Sequence, residues 1–154
     1  EALFYPDRDP LGINYNTIQS KIAIGSGGFL GKGFGQGTEV QLKFLPEAQT
    51  DFIFSAIVEE WGLLGGLMVL VSFAVMLLRI AFIGISMPDN FGNLVCLGTM
   101  VMFLLHFTFN MGSVLGLLPV VGVPFSFLSY GGSNLLVSFL LIGIIQSIAL
   151  RSNF

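Results

Sequence analysis

The residue best placed for chemistry is Asp51, in Lys43-Phe-Leu-Pro-Glu-Ala-Gln-Thr-Asp51-Phe-Ile-Phe. Pro46 ends whatever precedes it, so Thr50 or Asp51 is positioned to start a helix, and the plain role of Asp51 is an N-cap. The chemical role is a carboxylate held at a water–lipid boundary, where partial desolvation makes it a better base. Glu59 and Glu60 follow eight and nine residues later, roughly 80° and 180° around a helix from Asp51. Neither stacks on it, so the pattern is one carboxylate and not an acid–base pair. Glu47 stands four residues after Lys43; it either pairs with that lysine or positions a substrate or metal.

Lysines are the cationic counterpart, and Lys21 and Lys32 flank or enter a glycine run. Residues 25–37 hold seven glycines in thirteen. A phosphate loop needs a second Gly directly before Lys and then Ser or Thr; here Ser26 takes the first Gly slot and Gly33 follows Lys32. The spacing excludes that loop. Such a run is either a flexible outer loop or tight positive-φ backbone whose amides can meet an anion. His106 and Asn110, four apart, share a helix face and form either a proton relay or a hydrogen-bonded interhelical contact. Gly112 and Gly116 offer a small face for close helix packing. Ser129 and Tyr130 either point at a cavity or cap the helix that follows.

Composition decides what positions these groups. Of 154 residues, 54% are hydrophobic and 10% charged, far below the roughly 25% charge of a soluble domain. That excludes an ordinary soluble enzyme and a disordered chain, and the net charge of −3 offers no nucleic-acid footprint. One cysteine, Cys96, cannot form an internal disulfide. Twelve of the 15 charges precede residue 61, leaving Arg79, Asp89 and Arg151 in the apolar remainder. Three stretches there, Trp61–Leu78, Leu94–Leu118 and Ser133–Leu150, are long enough to span a bilayer. Tyr15–Ile24 reads as a short interfacial helix with Ile18, Ile22 and Ala23 on its apolar face. Pro119–Gly132 is apolar yet carries two prolines and three glycines, so it must be re-entrant, buried by protein or lining a cavity. Arg79 and Arg151 each follow an apolar run and mark the cytoplasmic side. The expected fold is an all-α integral membrane protein. Three transmembrane helices (51–154) stand beneath an extracytoplasmic glycine-rich segment (1–50) with short helices and a re-entrant loop.

Four motifs carry a family likeness: Q-S-K-I-A-I-G-S-G-G-F-L-G-K-G at 19–33, G-T-E-V-Q-L-K-F-L-P-E-A-Q-T-D-F-I-F at 37–54, E-E-W-G at 59–62 and N-M-G-S-V-L-G-L-L-P-V-V-G-V-P-F-S-F-L-S-Y-G-G-S at 110–133. In order and in register, they resemble the SEDS family of bacterial cell-wall proteins (RodA, FtsW, SpoVE). The G-K-G, K-F-L-P-E and P-V-V-G-V-P pieces lean towards its RodA branch, and Val121 stands where FtsW-like members tend to carry lysine. Gln49 replaces a histidine common in the family, which argues against a histidine relay there.

The resemblance implies a peptidoglycan glycosyltransferase of the bacterial cytoplasmic (inner) membrane. It would polymerise lipid II on the extracytoplasmic side, working with a class B penicillin-binding transpeptidase. The family's essential aspartate falls on Asp51. Lys21 and Lys32, with the glycine-run amides, are then candidates for the substrate pyrophosphate. Glu47, Ser129 and Tyr130 are the further substrate-binding candidates, and a divalent cation is the only cofactor to consider. A lipid-linked precursor flippase and a non-catalytic scaffold for the transpeptidase are the competing classes. Family members have many more spans, so a chain starting at Glu1 is expected to be the C-terminal portion of a larger protein and inactive alone.

Overall fold

A computed structural model describes residues 15–33 and 51–152. Four helices appear among them: α1 (Tyr15–Gly27), α2 (Ile53–Ser86), α3 (Asn90–Leu115) and α4 (Gly132–Ser152). No strand occurs among the described residues. α2, α3 and α4 are long and apolar enough to cross a membrane, so the all-α, three-span expectation is borne out.

The medium is legible in which residues face outward. Leu67, Met68, Val75, Leu97, Leu136 and Phe139 are exposed, whereas Ser20, Glu59, Asn110, Ser126 and Ser138 are buried. A soluble protein inverts this pattern; helices that are apolar all round belong in lipid. Met87–Asp89, with Pro88 inside it, joins α2 to α3, a link too short for anything but antiparallel neighbours. Their contact is close at Gly84, where an added Cβ would meet the Cys96 Cβ at 3.0 Å. α4 reaches α3 similarly, with Ile148 against Gly92.

Two helix ends differ from the sequence expectation. α2 starts at Ile53, close to the expected start at Thr50 or Asp51, but continues to Ser86, past Arg79. A flexible arginine stem lets its charged head leave the apolar zone, so Arg79 does not end the helix. α3 stops at Leu115 because Gly116 adopts φ 71°, ψ 23°, and the Leu117 N–H turns back to the Gly112 carbonyl at 2.8 Å. Leu118 therefore folds over Gly112, and Gly112 packs on its own following loop and not on another span.

α1 is a helix as expected, and of its apolar face Ala23 is buried in the protein while Ile18 and Ile22 are left exposed. Ser20 and Gly27 face inward with Ala23. Small residues let the backbones approach: the Ser20 hydroxyl donates to the Val114 carbonyl at 2.7 Å, and a side chain on Gly27 would strike the Val58 carbonyl. α1 thus docks against both α2 and α3.

The loop 116–131 is re-entrant in the sense expected. Phe125, fully buried, packs on Phe73 of α2 and Phe107 of α3 at ring-centroid distances of 5.4 and 5.9 Å. Phe73 lies past the middle of α2, so the loop dips deep between the spans. Phe127, at φ 70°, is pinned between Phe103 (5.4 Å) and Phe139 (5.5 Å). A bulky residue in that region is strained, and surrounding rings hold it there.

Candidate functional site

α2 is broken one-third of the way along. Gly62 has φ 71°, ψ −170°, a conformation open essentially only to glycine. The break frees carbonyls on one side and N–H groups on the other, which are costly to leave unpaired in a buried segment. The glycine turn after α1 meets both sets. Lys32 and Gly33 N–H donate to the Glu59 and Glu60 carbonyls, each at 3.0 Å. Leu63 N–H donates to the Gly28 carbonyl at 2.9 Å and Leu64 N–H to the Phe29 carbonyl at 3.5 Å. Gly31 and Gly62 lie back to back, so a Cβ on either would collide with the opposite backbone.

These bonds bear on two of the candidates read from the sequence. The described part of the glycine run is a splint on a broken helix, because its amides at 31–33 are spent on backbone carbonyls. Lys32 is likewise committed: its Nζ lies 2.8 Å from Oε1 of Glu59, a carboxylate fully buried beside a lysine 28% exposed. Glu59 is the residue that the reading of the sequence passed over. Its signal was a carboxylate directly before an apolar run, with a lysine amid glycines as the one kind of partner able to neutralise it.

Asp51 stands at the opposite end of the same segment. The N-cap of α2 is Phe52, one residue later than expected, so the capping role does not fall on Asp51. Asp51 is half-buried. Its carbonyl accepts from Asn110 Nδ2 at 2.9 Å, and the same Nδ2 donates to the Val123 carbonyl at 3.0 Å. Its carboxylate faces the loop, with Oδ2 at 3.7 Å from where a Cβ on Gly122 would sit. His106 contacts the Ser126 hydroxyl at 3.3 Å. The His106/Asn110 face is therefore a set of hydrogen-bonded tethers, joining α3 to the re-entrant loop and to the start of α2.

Lys21 is exposed and lies over Gly116 at the C-terminal end of α3, its Nζ 2.7 Å from where a Cβ would be. A cation suits a helix C-terminus. Lys21 thus lies over the residue that ends α3, Asp51 faces Gly122 in the loop that follows, and Lys32 sits at the helix break. Ser129 is buried, and its hydroxyl accepts the Phe125 N–H at 2.7 Å, so it shapes the loop. Tyr130 is 82% exposed. Both line a cleft of about 540 Å³ with Ile53, Gly131, Gly132 and Leu135, next to the start of α2. Its volume falls within the range of small-ligand sites. Glu47, Lys43 and residues 34–37 lie outside the described residues. Among the described residues no cluster of three His, Cys, Asp or Glu side chains could hold a metal ion.

The chain matches the family described as cell cycle protein (FtsW/RodA/SpoVE) over residues 1–153. It is 47% identical over 146 residues to the peptidoglycan glycosyltransferase MrdB of Escherichia coli K12, covering 95% of this chain and 40% of that protein. The peptidoglycan glycosyltransferase RodA of Treponema pallidum is 42% identical, covering 95% of this chain and 34% of its own length. Stage V sporulation protein E of Bacillus subtilis is 40% identical over 149 residues, 97% of this chain and 40% of that one. A solved chain from work on the structural coordination of polymerization and crosslinking by a peptidoglycan synthase complex superposes with a TM-score of 0.75 at 29% identity, covering 98% of this chain and 40% of that chain. The chain spans about two-fifths or less of these relatives.

Proposed function

The chain belongs to the FtsW/RodA/SpoVE family, and from that premise we propose that its residues work in a peptidoglycan glycosyltransferase that elongates glycan strands from lipid II. The observation carrying the reading is Asp51, half-buried at the head of a spanning helix with its backbone tied to Asn110 and its carboxylate turned to Gly122. Asp51 accepts the proton of the acceptor sugar hydroxyl as that oxygen bonds to the muramyl carbon. The carbon–oxygen bond to the lipid pyrophosphate breaks, and its electron pair leaves with the phosphate. Lys21 is the cation we assign to the charge that builds there, since charge developing in the transition state is best met by a preplaced opposite charge. The cleft lined by Ser129 and Tyr130 takes a sugar unit, leaving the lipid in the bilayer. Glu47 is assigned to substrate positioning. A divalent cation on the pyrophosphate would be brought by the substrate as much as by the chain.

Sidedness follows from Arg79 and Arg151, both towards the ends of α2 and α4 remote from Asp51. We take those ends as cytoplasmic under the positive-inside rule, so that Asp51 and the 116–131 loop open towards the extracytoplasmic side. A class B penicillin-binding transpeptidase is the partner that fits, and the structural neighbour's pairing of polymerization with crosslinking supports it. The test is glycan synthesis from lipid II by full-length Asp51→Asn protein with that partner. Loss of a general base lowers the rate by roughly 10²–10⁴. Glycan chains of normal yield from a folded variant would refute the assignment. Lipid movement across vesicles without glycan product would replace it with a transporter.

A further inference from the structure

Glu59 is fully buried in α2, three residues before the break at Gly62, and Lys32 reaches it from the glycine turn. The backbone of the same two residues is also bonded, Lys32 N–H to the Glu59 carbonyl at 3.0 Å. One residue pair therefore joins the two segments twice, once by main chain and once by charge. The segment it holds is the short first part of α2, residues 53–61, whose other end carries Asp51. That segment has helical continuity with the span only through a glycine, so the helix itself cannot fix its direction. Three contacts replace that continuity: Gly27 against the Val58 carbonyl, the four backbone bonds across the break, and the Lys32–Glu59 ion pair.

We propose that the Lys32–Glu59 ion pair is a positioning device that clamps the first part of α2, and with it Asp51, to the glycine turn, and that Lys32 does not contact the substrate pyrophosphate. A lysine drawn into a fully buried carboxylate has its charge balanced within the protein, whereas a pyrophosphate ligand must present that charge outward. The pair joins by salt bridge what sequence separates by 27 residues. Lys32 is 19 residues from Asp51 in sequence and Glu59 eight residues beyond it, so loosening the pair redirects the carboxylate without removing it. Misplacement by about 1 Å at a reacting centre can cost on the order of 10²-fold in rate.

This inference rests on the glycosyltransferase reading, and the experiment separates the two. Full-length Glu59→Gln, Lys32→Met, the double variant and Lys32→Arg are assayed for kcat and KM with lipid II, and for amide exchange over residues 28–33 and 54–64. The expected result is a kcat loss of roughly 10–100-fold, equal in both single variants and the double, with KM within about twofold of wild type. Lys32→Arg, which keeps the charge, retains most activity. Exchange quickens across both segments in the three impaired proteins, a readout independent of turnover and available even where a variant is less stable. A raised KM in Lys32→Met with Glu59→Gln unaffected would make Lys32 a substrate contact and overturn the proposal. Unchanged exchange over 54–64 in Glu59→Gln would overturn it as well. Wild-type protein that makes no glycan would sink the glycosyltransferase reading instead, while the exchange data would still decide whether the pair holds the segment.

Discussion

Replacing Asn110 by leucine removes two hydrogen bonds while keeping the branching at Cγ. Asn110 is 2% exposed, and its Nδ2 serves the Asp51 and Val123 carbonyls together. Leucine strands both acceptors, at about 1–3 kcal/mol each. It also relieves one cost, because Asn110 Oδ1 is buried with no partner among the described residues. Two groups stranded against one relieved leaves a net loss of about 1–3 kcal/mol. That exceeds the roughly 0.6 kcal/mol average of hydrogen bonds between membrane helices, and the structure supplies the reason. The usual losses are small because the freed group finds another partner, but here both acceptors belong to non-helical backbone whose geometry is set by this side chain. Asn110→Asp sharpens the test. It keeps the shape but aims an oxygen at two carbonyl oxygens, so it should cost more than leucine. Unfolding of full-length protein in nanodiscs, read alongside glycan synthesis from lipid II, measures both effects; kcat should fall by roughly 10–100-fold as the Asp51 backbone loses its anchor. Leucine within about 0.5 kcal/mol of wild type at full activity would refute the reasoning, and so would aspartate tolerated better than leucine.

Gly62→Ala forces a Cβ towards the Gly31 nitrogen and Phe29 carbonyl in a glycine-only conformation; the strain alone is about 1–3 kcal/mol, and amide exchange at Gly33 and Leu63 should rise accordingly. Phe125→Ala empties a buried site between Phe73 and Phe107; a loss of about 3–5 kcal/mol should appear as a lower melting temperature. Lys21→Gln should reduce kcat/KM for lipid II by roughly tenfold or more, the worth of a charged hydrogen bond, at a cost in stability of only about 0.3–1 kcal/mol for a cation lost from a helix C-terminus. Cys96, 2% exposed against Gly84, should resist maleimide in native membranes and react only on unfolding; ready labelling would disprove the α2–α3 contact.

The spans were legible because uninterrupted apolar runs of their length admit few other fates, and the re-entrant loop because apolar residues with two prolines can be neither helix nor exposed coil. Asp51 was legible as a lone carboxylate at the head of a span. The start of α2 was legible to within three residues from Pro46 and Asp51, but the burial of Glu59 within that helix was not. The docking face of α1 was not legible either, because in lipid or at its surface apolar side chains face out and small ones such as Ser20, Ala23 and Gly27 mark the contact. Gly62 and Lys32 were beyond local reading altogether. A glycine's φ and a lysine's partner depend on the segment opposite, and 29 residues separate those two positions.

The splint across α2 also bears on how the chain is made. Residues 28–33 leave the ribosome before residues 59–64, so the groups that repair the break exist before the break does. A nascent span with four unpaired backbone groups would be poorly retained by the bilayer. With the turn already made, the span can complete as it emerges. Transplanting the glycine turn to a position after α2 would keep every bond in the finished protein possible, yet would oblige the helix to wait, exposed, for its missing piece.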